Sequence, residues 1–184
     1  MTPGYQPPRL TLPVGVRDHA EGLPEAALLL VEYGDYQCPY CGAAYPIVKR
    51  IQKRLGDRLR FIFRNFPLAN LHPFAEGAAE AAEAAGAQGK FWEMHDFLFE
   101  NQSALGDPAF LSRAARQLKL DAARLEREVA GHVHLPRVEE DYRSGIRSGV
   151  NGTPTFFVNG RRYDGFPEFD PLVAALGEAG RLSP

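Results

Sequence analysis

Residues 26–41 read AALLLVEYGDYQCPYC, and this stretch decides the fold. Its first half, Ala26 to Tyr33, is a continuous apolar run broken only by Glu32 and closed by Gly34-Asp35. That length and those flanks suit a strand buried on both faces. Its second half holds Cys38-Pro39-Tyr40-Cys41, after which Ala44, Ile47, Val48, Ile51 and Leu55 recur at helical spacing until Gly56-Asp57 ends the run. Leu59 to Phe63 (LRFIF) reads as a second strand. Strand, loop, helix and strand make a βαβ unit, which implies parallel pairing and a right-handed crossover.

Working outward, residues 1–10 read as an extended arm and Thr11 to Val16 as a short edge strand. From Leu71 onward the pattern turns helical. His72 to Ala87 is alanine-rich, Phe91 to Phe99 is aromatic, and Asp107-Pro108 has the form of an N-cap followed by proline. Asp121 caps a further helix, and Leu135 to Arg147 forms the last of this block. Strand character returns with Thr155 to Val158 (TFFV), an Asn159-Gly160 turn and Arg161 to Tyr163, a hairpin signal. Asp170-Pro171 opens a final helix reaching Glu178. The fold class is therefore α/β, with residues 1–66 and 147–184 in one domain and 67–146 inserted as a helical block.

Of the 184 residues, 45% are hydrophobic and 24% charged, the proportions of a globular chain able to bury its own core. A formal charge of -2 leaves no footprint for nucleic acid, and no apolar run is long enough for membrane insertion. MTPGYQPPRLTLPVG lacks a charged region followed by an apolar stretch, so as it stands it is no signal peptide. The expected compartment is the cytoplasm, or the periplasm or cell exterior if a leader has been removed.

Cys38 and Cys41 are the two cysteines of the chain. Two residues apart, they close too small a loop to stabilise a fold, so the pair is weighed as chemistry. Cys38 stands where the first helical N–H groups lack partners and the helix dipole is positive, and both favour thiolate. Cys41 lies about one helical turn on, close enough to form a disulfide with Cys38 and, as the more buried sulfur, to resolve a mixed disulfide. Pro39 fits the first helical position. The alternatives are half of a zinc site or an inert pair. Zinc would need further ligands, and the nearest His-x-His, His132 and His134, is far along the chain, so no metal is expected.

Glu32 is the lone charge in its strand. Buried beneath the cysteines it would have a raised pKa and could exchange a proton with Cys41; otherwise it points to solvent at the strand end. Gly152-Thr153-Pro154-Thr155 is compatible with a cis proline that offers the backbone of Thr153 to an extended substrate, or with an ordinary trans turn. His72 reads as a helix-start residue, and Phe91, Trp92, Met94, Phe97, Leu98 and Phe99 as core of the helical block.

Taken together, VEYGDYQCPYC, HPFAEGAAEAAEAAGAQGKFWEMHDFLFE and SGVNGTPTFFVNG resemble the DsbA-like branch of the thioredoxin superfamily over nearly the whole chain. The resemblance implies a thioredoxin fold with an inserted all-helical domain. It also implies Cys38 as nucleophile, Cys41 as resolving thiol, Thr153-Pro154 as substrate loop and Glu32 as buried acid. The dipeptide Pro39-Tyr40 departs from the Pro-His of strongly oxidising members and matches that of glutaredoxins.

The function expected is thiol–disulfide exchange with protein thiols and disulfides, using an unidentified redox partner, no cofactor beyond the dithiol, and a monomeric chain. Two alternatives remain: a glutathione-linked reductase or isomerase of small molecules, and a redox-regulated binding module or chaperone.

Overall fold

The computed structural model describes residues 7–182. Five strands form one sheet: β1 (His19–Glu21), β2 (Leu28–Gly34), β3 (Leu59–Asn65), β4 (Thr155–Val158) and β5 (Arg161–Tyr163), in the order β1-β3-β2-β4-β5. β2 runs parallel to β3, and the other pairings are antiparallel. The apolar run thus becomes the central strand, with neighbours on both edges, as its hydrophobicity requires. Between β2 and β3 lies α1 (Pro39–Leu55), which buries Cys41, Ala44, Val48, Ile51 and Leu55.

Five helices separate β3 from β4: α2 (Ala75–Gly86), α3 (Phe91–Glu100), α4 (Phe110–Leu118), α5 (Ala122–Ala130) and α6 (Leu135–Arg147); α7 (Phe169–Leu182) closes the chain. An α/β sheet carrying a helical block is the architecture anticipated from the patterning. Phe91, Met94, Phe97, Leu98 and Phe99 are buried in one core with the α1 residues, on the face of β2 that holds Leu30. Val31 and Tyr33, pointing the other way by the strand's period of two, join Ile62, Phe66, Val150 and Phe157 in a second cluster.

Several boundaries differ from expectation. Residues 1–6 of the expected arm lie outside the described residues, while Leu10 N–H donates to the Gly160 carbonyl and Arg162 N–H to that of Pro8, so residues 8–10 run beside β5. Thr11 to Val16 is not a strand; the edge strand is β1. The reason lies in where its backbone groups go. Thr11 N–H donates to Ser148 Oγ, and the carbonyls of Leu12 and Pro13 accept from the buried Arg64 guanidinium, which also holds Asp18 and the Tyr33 hydroxyl. These bonds replace a ladder.

Asp107 does not cap α4. Its carboxylate accepts from Ala109 N–H in a turn just before Phe110, whereas Asp121 does cap α5 by accepting from Arg124 N–H. α2 begins at Ala75 rather than His72, and α7 at Phe169 rather than Asp170.

Candidate functional site

The site forms where the C-terminal end of β2 turns into α1. Cys38 is the N-cap of α1 in an extended conformation (φ -67°, ψ 123°), and Pro39 follows in the first turn. Proline suits that position because its missing N–H would have had no helical acceptor. Cys41, one turn on, is fully buried and accepts a hydrogen bond from Asp35 N–H at 3.4 Å. The two cysteines are free thiols.

Cys38 is more enclosed than a helix start suggests, at 3% exposure. Its thiol donates to the Thr153 carbonyl oxygen at 3.3 Å, so the loop before β4 lies over the sulfur. The Thr153–Pro154 peptide bond is cis. The Cys38 pKa is lowered from 9.0 to about 5. The largest cause is a hydrogen bond from the Cys41 thiol, supported by Thr153 and by the backbone N–H groups of Cys41 and Tyr40, against a cost of burial. The Thr153 hydroxyl is buried and has no partner in the dithiol form, which leaves the ionised sulfur as its available acceptor. Cys41 is pushed the opposite way, first by burial, then by the Cys38 sulfur and by Glu32. Two thiols of one motif are thereby split into one that ionises readily and one that does not.

Glu32 lies on β2 between Phe63 of β3 and Phe156 of β4, and is 2% exposed. It does not point to solvent. Its Oε1 is buried without a hydrogen-bond partner, and burial, followed by the Cys38 charge, raises its pKa from 4.5 to about 8. Gly34, two residues on and on the same face, has no room for a Cβ, which would strike the Phe63 ring and approach Glu32 Oε1. Tyr40, the other member of the dipeptide, is 73% exposed.

Three contributors escaped the sequence reading. The Asp35 carboxylate is fully covered; Oδ1 accepts from Gln37 and Cys38 N–H (2.7 and 3.2 Å) and Oδ2 from Leu68 N–H and His72 Nδ1 (2.9 and 2.7 Å). His72 is thus no helix-start residue; it answers the charge of Asp35. Gln102 reaches the same loop from the turn after α3. An aspartate three residues before a helix N-cap carries a local signal for a turn; His72 and Gln102 carry none.

The His-x-His pair is drawn elsewhere: His132 Nδ1 binds Glu80 and His134 Nε2 binds Glu128. Among the described residues, the cluster with metal-ligand spacing is Glu76, Glu80 and His132, and it includes neither cysteine. No helix of the described residues is long and apolar enough to cross a membrane.

The family described as Thioredoxin matches residues 15–178. BdbD from Bacillus subtilis, in its oxidised crystal structure, is 25% identical with a TM-score of 0.80, covering 96% of this chain and 97% of its own. A thioredoxin-like oxidoreductase from Silicibacter pomeroyi is 28% identical with a TM-score of 0.77, covering 92% and 95%. Wolbachia pipientis alpha-DsbA1 shares the fold at 20% identity, with a TM-score of 0.80 and 94% of each chain covered. A Na(+)/H(+) antiporter NhaA 1 of Salinispora arenicola is 47% identical over 163 residues, which is 89% of this chain and 25% of that protein. The chain therefore spans about a quarter of the length of the curated relatives it matches. With the match over residues 15–178 and the neighbours' shared architecture, the chain belongs to the thioredoxin family and has the DsbA-like fold, a thioredoxin fold with a helical insertion.

Proposed function

We propose that this protein exchanges disulfides with protein substrates through Cys38 and Cys41. The observation that carries the reading is the placement of Cys38 at the N-cap of α1, held against the Thr153 carbonyl, with its pKa lowered while that of Cys41 is raised.

In the oxidising direction, a substrate thiolate attacks Cys38 Sγ of the Cys38–Cys41 disulfide. A substrate–Cys38 bond forms, the Cys38–Cys41 bond breaks, and the electron pair leaves on Cys41. Glu32, protonated near neutral pH, gives its proton to that buried sulfur. A second substrate thiolate then attacks the substrate sulfur of the mixed disulfide, and Cys38 departs as the stabilised thiolate. The substrate dithiol loses two electrons and the Cys38–Cys41 disulfide gains them to become the dithiol; every step reverses for reduction. The Thr153 backbone is the surface against which an extended substrate segment would pair.

An insulin-reduction assay with and without glutathione tests the reading. Wild-type protein should turn over without glutathione, Cys38→Ser should be inactive, and Cys41→Ser should accumulate mixed disulfides. Activity that needs glutathione, or survives in Cys38→Ser, refutes it.

A second reading concerns the partner. The 47% identity with a quarter of an antiporter supports a redox module that works beside a membrane transporter. Trapping with Cys41→Ser in intact cells would test this, a transporter cysteine in the mixed disulfide being the expected product.

A further inference from the structure

The helical block meets the redox loop at one side chain. Gln102 opens the short turn Gln102–Ala104 after α3, and its Nε2 donates to the carbonyls of Tyr36 at 2.7 Å and of Cys38 at 3.0 Å. The Cys38 carbonyl also accepts the first helical bond, from Gly42 N–H at 3.1 Å. Both lone pairs of that oxygen are therefore used, and a neutral amide from another part of the fold fixes the Tyr36–Gln37 and Cys38–Pro39 peptide planes. From the opposite side the Asp35 carboxylate holds the N–H groups of Gln37 and Cys38.

Gln102 reaches these carbonyls through a slot. A Cβ built on Gly42 would collide with the Gln102 side-chain oxygen. Gly42 sits in the first turns of α1, where helix propensity alone favours alanine, so its lack of a side chain serves the seat of Gln102 rather than the helix.

We infer that Gln102 is a positioning residue for the redox centre, seated by Gly42, which fixes the carbonyls of Tyr36 and Cys38 and so aims the Cys38 sulfur at Cys41 and Thr153. The inference rests on the proposed exchange chemistry only for its purpose; its test needs no turnover. The Nε2 hydrogens are taken up by the two carbonyls and hold the loop in place. Losing them lets the loop turn and weakens the aim of the hydrogen bonds that ionise Cys38.

The experiment is the pH dependence of Cys38 alkylation by iodoacetamide in the reduced protein, read beside thermal unfolding. Gln102→Met keeps the shape and removes both donors, and should lower the thiolate-forming constant threefold to tenfold. Gln102→Glu sets an acceptor against two carbonyls and should lower it more than tenfold. Gly42→Ala should lower it as Gln102→Met does, without the loss of melting temperature that a merely structural defect would bring. The double variant Gly42→Ala/Gln102→Met should show no further loss, because both changes empty one seat. Unchanged alkylation profiles in all four, or additive losses in the double variant, overturn the inference. An inactive wild type with the expected order of profiles would refute the exchange reading while leaving the positioning role intact.

Discussion

The thiol of Cys38 donates to the carbonyl oxygen of Thr153 at 3.3 Å, a contact spanning 115 positions of sequence. It places the loop before β4 over the Cys38 sulfur, and the Thr153 hydroxyl is buried with no partner in the dithiol. Thr153 therefore meets the thiol through its backbone, and its hydroxyl is placed to favour the thiolate.

Replacing Thr153 by valine separates these roles, since the backbone carbonyl stays and the hydroxyl goes. A hydrogen bond to a charged group contributes about 1.5–3 kcal/mol, and one pKa unit is about 1.4 kcal/mol. The Cys38 pKa should rise from about 5 by about one to two units, as followed by thiolate absorbance against pH. An unchanged titration would show that the hydroxyl does not reach the sulfur.

Stability against pH should differ between the redox forms. Glu32 is raised from 4.5 to about 8, so the folded state binds its proton more tightly; that stabilisation is complete below about pH 4.5 and is lost as pH rises through about 8. Cys38 is lowered from 9.0 to about 5, so its contribution is present above about pH 9 and is lost as pH falls through about 5. Between about pH 5 and 8 the two slopes oppose each other in the dithiol. In the disulfide the Cys38 slope is gone, whereas burial of Glu32, the larger cause of its shift, persists. Urea unfolding should therefore be nearly flat with pH for the reduced form and fall with rising pH for the oxidised form. Glu32→Gln should abolish the fall, and an oxidised protein without that slope would mean that Glu32 ionises freely.

Redox poise follows from what stabilises the thiolate. Tyr40 is 73% exposed and assists Cys38 only through its backbone N–H, so no side-chain charge of the dipeptide contributes. The potential should lie between about −120 mV and about −270 mV, near −200 mV, on equilibration with glutathione buffers. Tyr40→His adds a cation beside the sulfur and should make the protein more oxidising by about 30 mV or more, equivalent to about 1.4 kcal/mol. A variant with the wild-type potential would show that the insertion and the Thr153 loop already set the poise.

His72 should matter for stability. Its Nδ1 is the nearer of the two donors on Asp35 Oδ2, and without it a buried carboxylate keeps only Leu68 N–H on that oxygen. His72→Ala should cost about 1.5–3 kcal/mol in urea unfolding, the range for hydrogen bonds to charged groups. A loss below about 0.5 kcal/mol, as at an ordinary surface position, would mean that the N–H groups alone hold the charge.

What the sequence determined by itself was everything carried by local periodicity and chain order. The apolar run 26–33, the helical spacing after Cys41 and the Asn159-Gly160 turn specify β2, α1 and the β4–β5 hairpin, because each pattern is set by the burial or turn geometry of its own element. The CxxC likewise placed Cys38 at a strand-to-helix junction, where a helix N-terminus favours thiolate. Tertiary structure alone decided which distant side chains hold the loop Asp35–Cys38. His72 and Gln102 reach it across 37 and 64 to 66 positions, and a hydrogen-bonding side chain carries no periodic mark of a distant partner. The same cause misplaced the edge strand: Thr11 to Val16 has strand composition, but Arg64 and Ser148, brought in by β3 and the end of α6, claim its backbone groups and leave the sheet edge to His19–Glu21.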